Sequence, residues 1–169
     1  MKKIGILLLV FGFSVASAQK IGYIEMERIL EKMPEYEKAN EEIESQVKAW
    51  EAELDSKFED IESMYQEYVG SESSLNDEMR KQKQNAIIEA EKKANKYKDE
   101  KFGREGEITE LQESKLKPIY DKVFLSAEKV AKENGFDYVF DKNADSQWIY
   151  TNPDMDITDK VINSMEIIK

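Results

Sequence analysis

The chain has 169 residues, of which 36 are acidic and 25 basic, giving a net charge of −11, and it contains neither cysteine nor histidine. That acidic excess argues against nucleic acid as a partner, since a phosphate backbone would repel it. Without cysteine or histidine there is no disulfide, thiol nucleophile, Ser-His-Asp arrangement or imidazole metal ligand, which closes most routes to catalysis.

Residues 1–18 read as a secretory signal peptide. Lys2 and Lys3 form the basic start, Ile4 to Val15 the apolar stretch, and Ala16-Ser17-Ala18 a small-residue site that predicts cleavage between Ala18 and Gln19. Twelve apolar residues are too few for a bilayer span, so no stable membrane insertion is expected. Loss of the two lysines takes the net charge from −11 to −13, and with no cysteine to lipidate, the exported chain is expected to be released.

Lys20 to Ile24 predicts a short strand, and Glu25 to Met33 a short helix with Met26, Ile29, Leu30 and Met33 on one face. Pro34 disfavours a helical Met33 but suits a first helical position, so a new helix should start there. Two long charged helical runs follow, Pro34–Val69 and Leu75–Pro118, joined by Gly70-Ser71-Glu72-Ser73-Ser74. At about 1.5 Å per residue each would extend ~50 to 65 Å, longer than helices of ordinary compact domains.

The first run spaces Ile43, Val47, Trp50, Leu54, Phe58, Ile61, Tyr65 and Tyr68 as a coiled-coil seam with one stutter. The second carries a thinner stripe: Leu75, Met79, Ile87, Ala90, Ala94, Tyr97, Ile108 and Leu111. Eleven acidic and two basic residues lie between Glu41 and Glu72, against eight basic and six acidic between Asp77 and Lys101. Opposite charge balance across a short turn favours an antiparallel hairpin with its tip near 70–74. Gly70 is expected to end the first helix in a left-handed conformation, and Ser73 or Ser74 to cap the second.

From Ile119 the helix becomes more apolar, with Val123, Ala127 and Val130 in line, and stops at Asn134-Gly135. Phe136–Phe140 and Gln147–Thr151 predict two further strands, and Asp156 caps a last helix with Ile157, Val161, Ile162, Met165 and Ile168 on one side. The expected fold is mostly α with a small β part. Residues 19–34 and 118–169 make a small α/β body, and residues 35–117 make a projecting hairpin. The predicted body core is Ile21, Tyr23, Val123, Phe124, Val130, Phe136, Tyr138, Phe140, Ile149 and Val161. A body of about seventy residues is marginal alone, so oligomerisation through it is expected.

Asp141-Lys142-Asn143-Ala144-Asp145 has the D-x-N-x-D opening of a calcium loop. Ser146 stands where glycine is needed and Asn152 where a bidentate glutamate belongs, so a polar inter-strand loop is the reading. Asp156 and Asp159 fit helix capping rather than a metal site. Glu89 and Glu91 lack the Glu-x-x-His partner of di-metal bundles. No metal, cofactor or enzymatic activity is predicted. Met64, Val69, Ile88 and Phe102 lie off the stripe and are candidate contacts for an unfolded chain, where scattered apolar groups give weak, multivalent binding.

The end segments resemble the Skp/OmpH family of periplasmic chaperones. The likeness lies in Lys20-Ile21-Gly22-Tyr23-Ile24 with Met26 and Ile29-Leu30, in Asn134 to Asp141, in Ile149-Tyr150, and in Asp156-Ile157-Thr158 with Val161-Ile162. The resemblance implies a homotrimer whose strands assemble into a small β-barrel, with three hairpins enclosing a cavity. It also implies a periplasmic, ATP-independent holdase for unfolded outer-membrane proteins. The acidic charge departs from the basic character of the best-known members, so no lipopolysaccharide-binding residues are carried over. A structural coiled-coil spacer or tether of the cell envelope is the alternative.

Overall fold

The computed structural model describes residues 19–143 and 148–166. The predicted signal peptide therefore lies outside the described residues, as do Gln147 and Ile168.

Strand β1, Ile21–Ile24, runs into helix α1, Met26–Leu30. Helix α2 spans Pro34–Ser71, with Pro34 in its first turn, where the missing N–H has no helical partner to lose. A 3₁₀ turn at Glu72–Ser74 leads to α3, Asp77–Phe102, and α4, Glu107–Glu133. Strand β2, Tyr138–Asp141, and helix α5, Thr158–Glu166, complete the chain. β1 and β2 pair in parallel, with Ile21 opposite Tyr138 and Ile24 opposite Asp141. A parallel pair requires a crossover. Here the whole hairpin is that crossover, so both of its ends are anchored in one body.

The core lies where α1, the base of α2, the second half of α4 and α5 converge. Ile24, Ile29, Leu30, Ile119, Val123, Val130, Ile157 and Val161 form its centre, with Tyr36, Leu116, Phe136 and Val139 packed around it. Asp156 accepts from the Thr158 N–H, as its capping role predicted. Ile157 N–H donates to Tyr23 O, which ties α5 to β1.

Several expectations need correcting. Gly70 lies inside α2 and takes no positive φ; the helix continues to Ser71. The cap of α3 is Asn76, whose side chain accepts from the Met79 N–H, and not Ser73 or Ser74. The second run is not one helix to Pro118, because Gly103-Arg104-Glu105-Gly106 interrupts it. A Cβ at Gly103 would sit 2.3 Å from Asp99 O, and one at Gly106 2.8 Å from Lys101 O. Only glycine lets the backbone pass this close to the carbonyls of the preceding turn, and α4 then continues along α2 in the direction of α3. Pro118 lies within α4, which continues without a boundary there.

The strand near 136–140 begins later and faces the other way. Gly135, at φ +67°, ends α4, and Phe136 N–H returns to Ala131 O. Phe136 thus belongs to the helix cap, and its ring fills the space where a Cβ on Gly22 would come within 2.9 Å. Alternation restarts at Tyr138. Val139 turns toward the core, and Tyr138 and Phe140 are exposed, as are Ile21 and Phe124. Ile149 is fully exposed at 102 %, and residues 148–151 form no strand, having no partner strand within the described chain. Of the predicted core, Tyr23, Val123, Val130 and Val161 are buried and Phe136 half-buried.

Candidate functional site: the hairpin arm

The arm is built on two uninterrupted heptad seams. From Ile43 outward, α2 covers only Ile43, Val47, Trp50, Leu54, Lys57, Ile61, Met64, Tyr68 and Ser71, an unbroken alternation of four- and three-residue steps. On α3 the covered positions are Arg80, Lys83, Ile87, Ala90, Ala94, Tyr97 and Lys101, followed by Phe102. The predicted stutter is absent. Lys57 and Met64 occupy the places assigned to Phe58 and Tyr65, both of which are exposed. Met79 is likewise exposed, and Arg80 takes its place in the seam.

Charged side chains enter the seam because aromatic faces and carboxylates receive them. Lys57 Nζ lies 4.8 Å from the Tyr97 ring centre and 3.0 Å from Glu53. Tyr97 donates its hydroxyl proton to Glu53 at 2.9 Å. Burial first, and this hydrogen bond second, push the Tyr97 phenol up to about 12. The hydrogen bond from Lys57, then that from Tyr97, holds the Glu53 carboxyl below its ordinary range. Lys101 Nζ sits 5.2 Å over the Trp50 ring, and Phe102 meets Trp50 edge-to-face at 6.3 Å and 85°.

The tip is closed by Tyr68. Its hydroxyl donates to Glu72 at 2.9 Å and accepts from Gln84 at 2.8 Å; the bond to Glu72 raises its pKa. Arg80 donates to the carbonyls of Glu72 and Leu75, bracing the turn from the second helix. Near the body, Lys115 pairs with Glu42, which lowers that carboxyl, and Lys122 pairs with Glu35 at 3.0 Å.

The four candidate contact residues separate into two kinds. Met64 and Phe102 are partly exposed as expected, but Met64 lies in the seam and Phe102 packs against Trp50, so neither lies off the stripe. Val69 and Ile88 are exposed. Two apolar residues assigned to the seam, Phe58 and Tyr65, join them outside it. Lys83 and Lys101 were expected on or beside the face of the second run, whereas Lys57 was missed; it was detectable in principle, because the four-three spacing stays unbroken once a lysine is allowed at that position.

In the body, the exposed face of the β1–β2 pair carries Ile21, Tyr138 and Phe140, with Tyr138 stacked on Phe140 at 6.4 Å and Trp148 against Phe140 at 5.8 Å. Elsewhere in the body a hollow of about 500 Å³ is lined by Met33, Leu125, Ile162 and Met165 together with Lys32 and Lys129. Among the described residues no group of histidine, cysteine or carboxylate side chains is placed to hold a metal. Asp141, the first position of the calcium-like motif, accepts from the N–H groups of Met26 and Asn143; Ala144, Asp145 and Ser146 lie outside the described residues.

A sequence model of the family described as outer membrane protein (OmpH-like) matches residues 20–165. The chain belongs to this OmpH-like family. It is 24% identical over 149 residues to the chaperone protein Skp of Yersinia enterocolitica, covering 88% of this chain and 87% of that protein. Its fold is similar to the crystal structure of a protein assigned as an OmpH-like outer membrane chaperone of Caulobacter crescentus, with a TM-score of 0.69 at 13% identity over 90% of this chain and 87% of that one. This OmpH-like chain is thus mostly helical, with a long hairpin rising from a small two-stranded body.

Proposed function

We propose that this OmpH-like protein is an ATP-independent holdase that shields unfolded outer-membrane proteins between the arms of a homotrimer. Family membership supports a chaperone role. The observation that carries the trimer is the body surface: Ile21, Tyr138, Phe140, Ile149 and Tyr150 are all exposed around a two-stranded sheet whose β2 edge is open, the β1 edge being bridged by Tyr23 and Asp156. Such a surface invites further strands, and in this reading residues 148–151 of a neighbouring copy provide them. Residues 1–18 act as the signal peptide, and the mature protein works in the periplasm. Residues 19–34 and 118–169 form the trimerising body, and residues 35–117 form the arm.

The test is light scattering in two parts. The mature protein at micromolar concentration should have a trimeric mass, and without ATP it should keep a urea-denatured outer-membrane barrel from aggregating on dilution. A monomeric mass would overturn the cavity. Unaltered aggregation with binding to folded envelope proteins would instead make the protein a spacer.

A further inference from the structure

The unbroken seam leaves one side of α2 with apolar groups that the hairpin itself does not use. At about 100° per residue, Phe58, Tyr65 and Val69 fall within roughly 40° of arc. They therefore form a line along the outer half of the arm, with 42%, 51% and 49% of their surfaces exposed. In an antiparallel pair the same flank of α3 presents Ile88, itself 53% exposed. The opposite flank of α2 carries Glu53, Asp60 and Glu67 and no large apolar group.

The border of the line is acidic. Glu51, Asp55 and Glu62 lie within about 60° of it and are exposed. Among the described residues none of the three makes an ion pair within 4 Å; Glu51 acts on Lys48 only at longer range, and Glu62 accepts from neutral Gln66. The α3 half of the flank is mixed, with Lys81, Glu91, Lys92 and Asp99 around Ile88, so the negative character belongs to α2. Elsewhere on the arm Glu42, Glu44, Glu53 and Glu67 are matched by lysines.

Building on the holdase reading, we infer that this flank of α2 is a docking strip for cationic apolar segments of unfolded polypeptide, in which aromatic or aliphatic side chains alternate with lysine or arginine. Phe58, Tyr65 and Val69 would receive the apolar groups, and Glu51, Asp55 and Glu62 the charges. Each contact is small, and several arms acting on one flexible chain multiply it. Charge decides which segments are captured first and how fast.

Fluorescence anisotropy on the mature protein tests this with two labelled peptides of identical apolar residues, one interleaved with lysine and one with glutamate. The lysine peptide should bind about tenfold more tightly at low salt, the gap closing as salt screens the border. Phe58→Ser/Tyr65→Ser/Val69→Ser should weaken it about tenfold. Glu51→Gln/Asp55→Asn/Glu62→Gln, nearly isosteric and at exposed positions, should abolish the preference while keeping the helical circular dichroism. Equal binding of both peptides, or a preference unchanged in the charge variant, overturns the strip. Aggregation suppression is measured alongside. Suppression without peptide preference removes the strip and leaves the holdase; preference without suppression does the reverse.

Discussion

Phe102→Ala asks whether this ring is a seam group or a free contact. The ring is half-buried, edge-on to Trp50 at 6.3 Å, on the last residue of α3 before the glycine break. Burying half of an aromatic side chain removes roughly 100 Å² from water, about 2.5 kcal/mol at ~25 cal/mol/Å². The edge-to-face contact adds about 1 kcal/mol, and the better helix propensity of alanine returns about 0.5. With the alanine Cβ keeping part of the contact, the net loss should be about 2–3 kcal/mol, below the ~3–5 of a fully buried phenylalanine. The assay is urea unfolding in a Trp148→Phe background, so that Trp50 alone reports, at one fixed protein concentration because assembly would shift the midpoint. The midpoint should fall with little change in slope, and Trp50 emission should move to the red. A loss under about 0.5 kcal/mol together with weaker client capture would refute the seam assignment and return Phe102 to the client surface.

Gly70→Ala tests the tip. Gly70 is helical with nothing within 4 Å of an added Cβ, so alanine should stabilise the arm by about 0.5–1 kcal/mol in the same urea assay. A destabilised variant would mean that Gly70 is a left-handed cap after all. The Tyr97 phenol gives a pH signature. Its folded pKa of about 12 exceeds the ordinary 10, so its stabilising contribution is complete below pH 10 and is lost as pH rises toward about 12. Thermal melts followed by circular dichroism should show this decline, and ultraviolet titration should show late tyrosine ionisation, with Tyr68 and Tyr120 also raised; Tyr97→Phe should remove the step near pH 12. A Tyr97 that ionises at its ordinary value would refute the burial and the bond to Glu53.

Much of the architecture was legible before any coordinates. Pro34 marked the start of α2, Gly135 the end of α4, and the charge imbalance between the two runs predicted their antiparallel pairing. These are local signals, set by backbone conformation and by charge averaged over many residues. The seam was legible only in part. Ile43 to Leu54 followed from apolar spacing, but beyond Leu54 that spacing favoured Phe58 and Tyr65 over Lys57 and Met64. Hydrophobicity alone ranks phenylalanine above lysine, and the ranking fails where the partner helix supplies the Tyr97 ring, and Glu53 one turn back on α2 a carboxylate, to receive the ammonium group.

The sequence by itself determined the kind of molecule: long charged helices, a small apolar body, and no chemistry built on cysteine or histidine. Only the tertiary structure decided which apolar residues are spent inside the chain and which remain for others. Phe136 was drawn into the helix cap because Gly22 leaves room for its ring, and that reset the strand so that Tyr138 and Phe140 face outward. Lys57 took the seam position and left Phe58 outside. Both outcomes depend on atoms more than thirty-five residues away along the chain, where neither local propensity nor periodicity can reach.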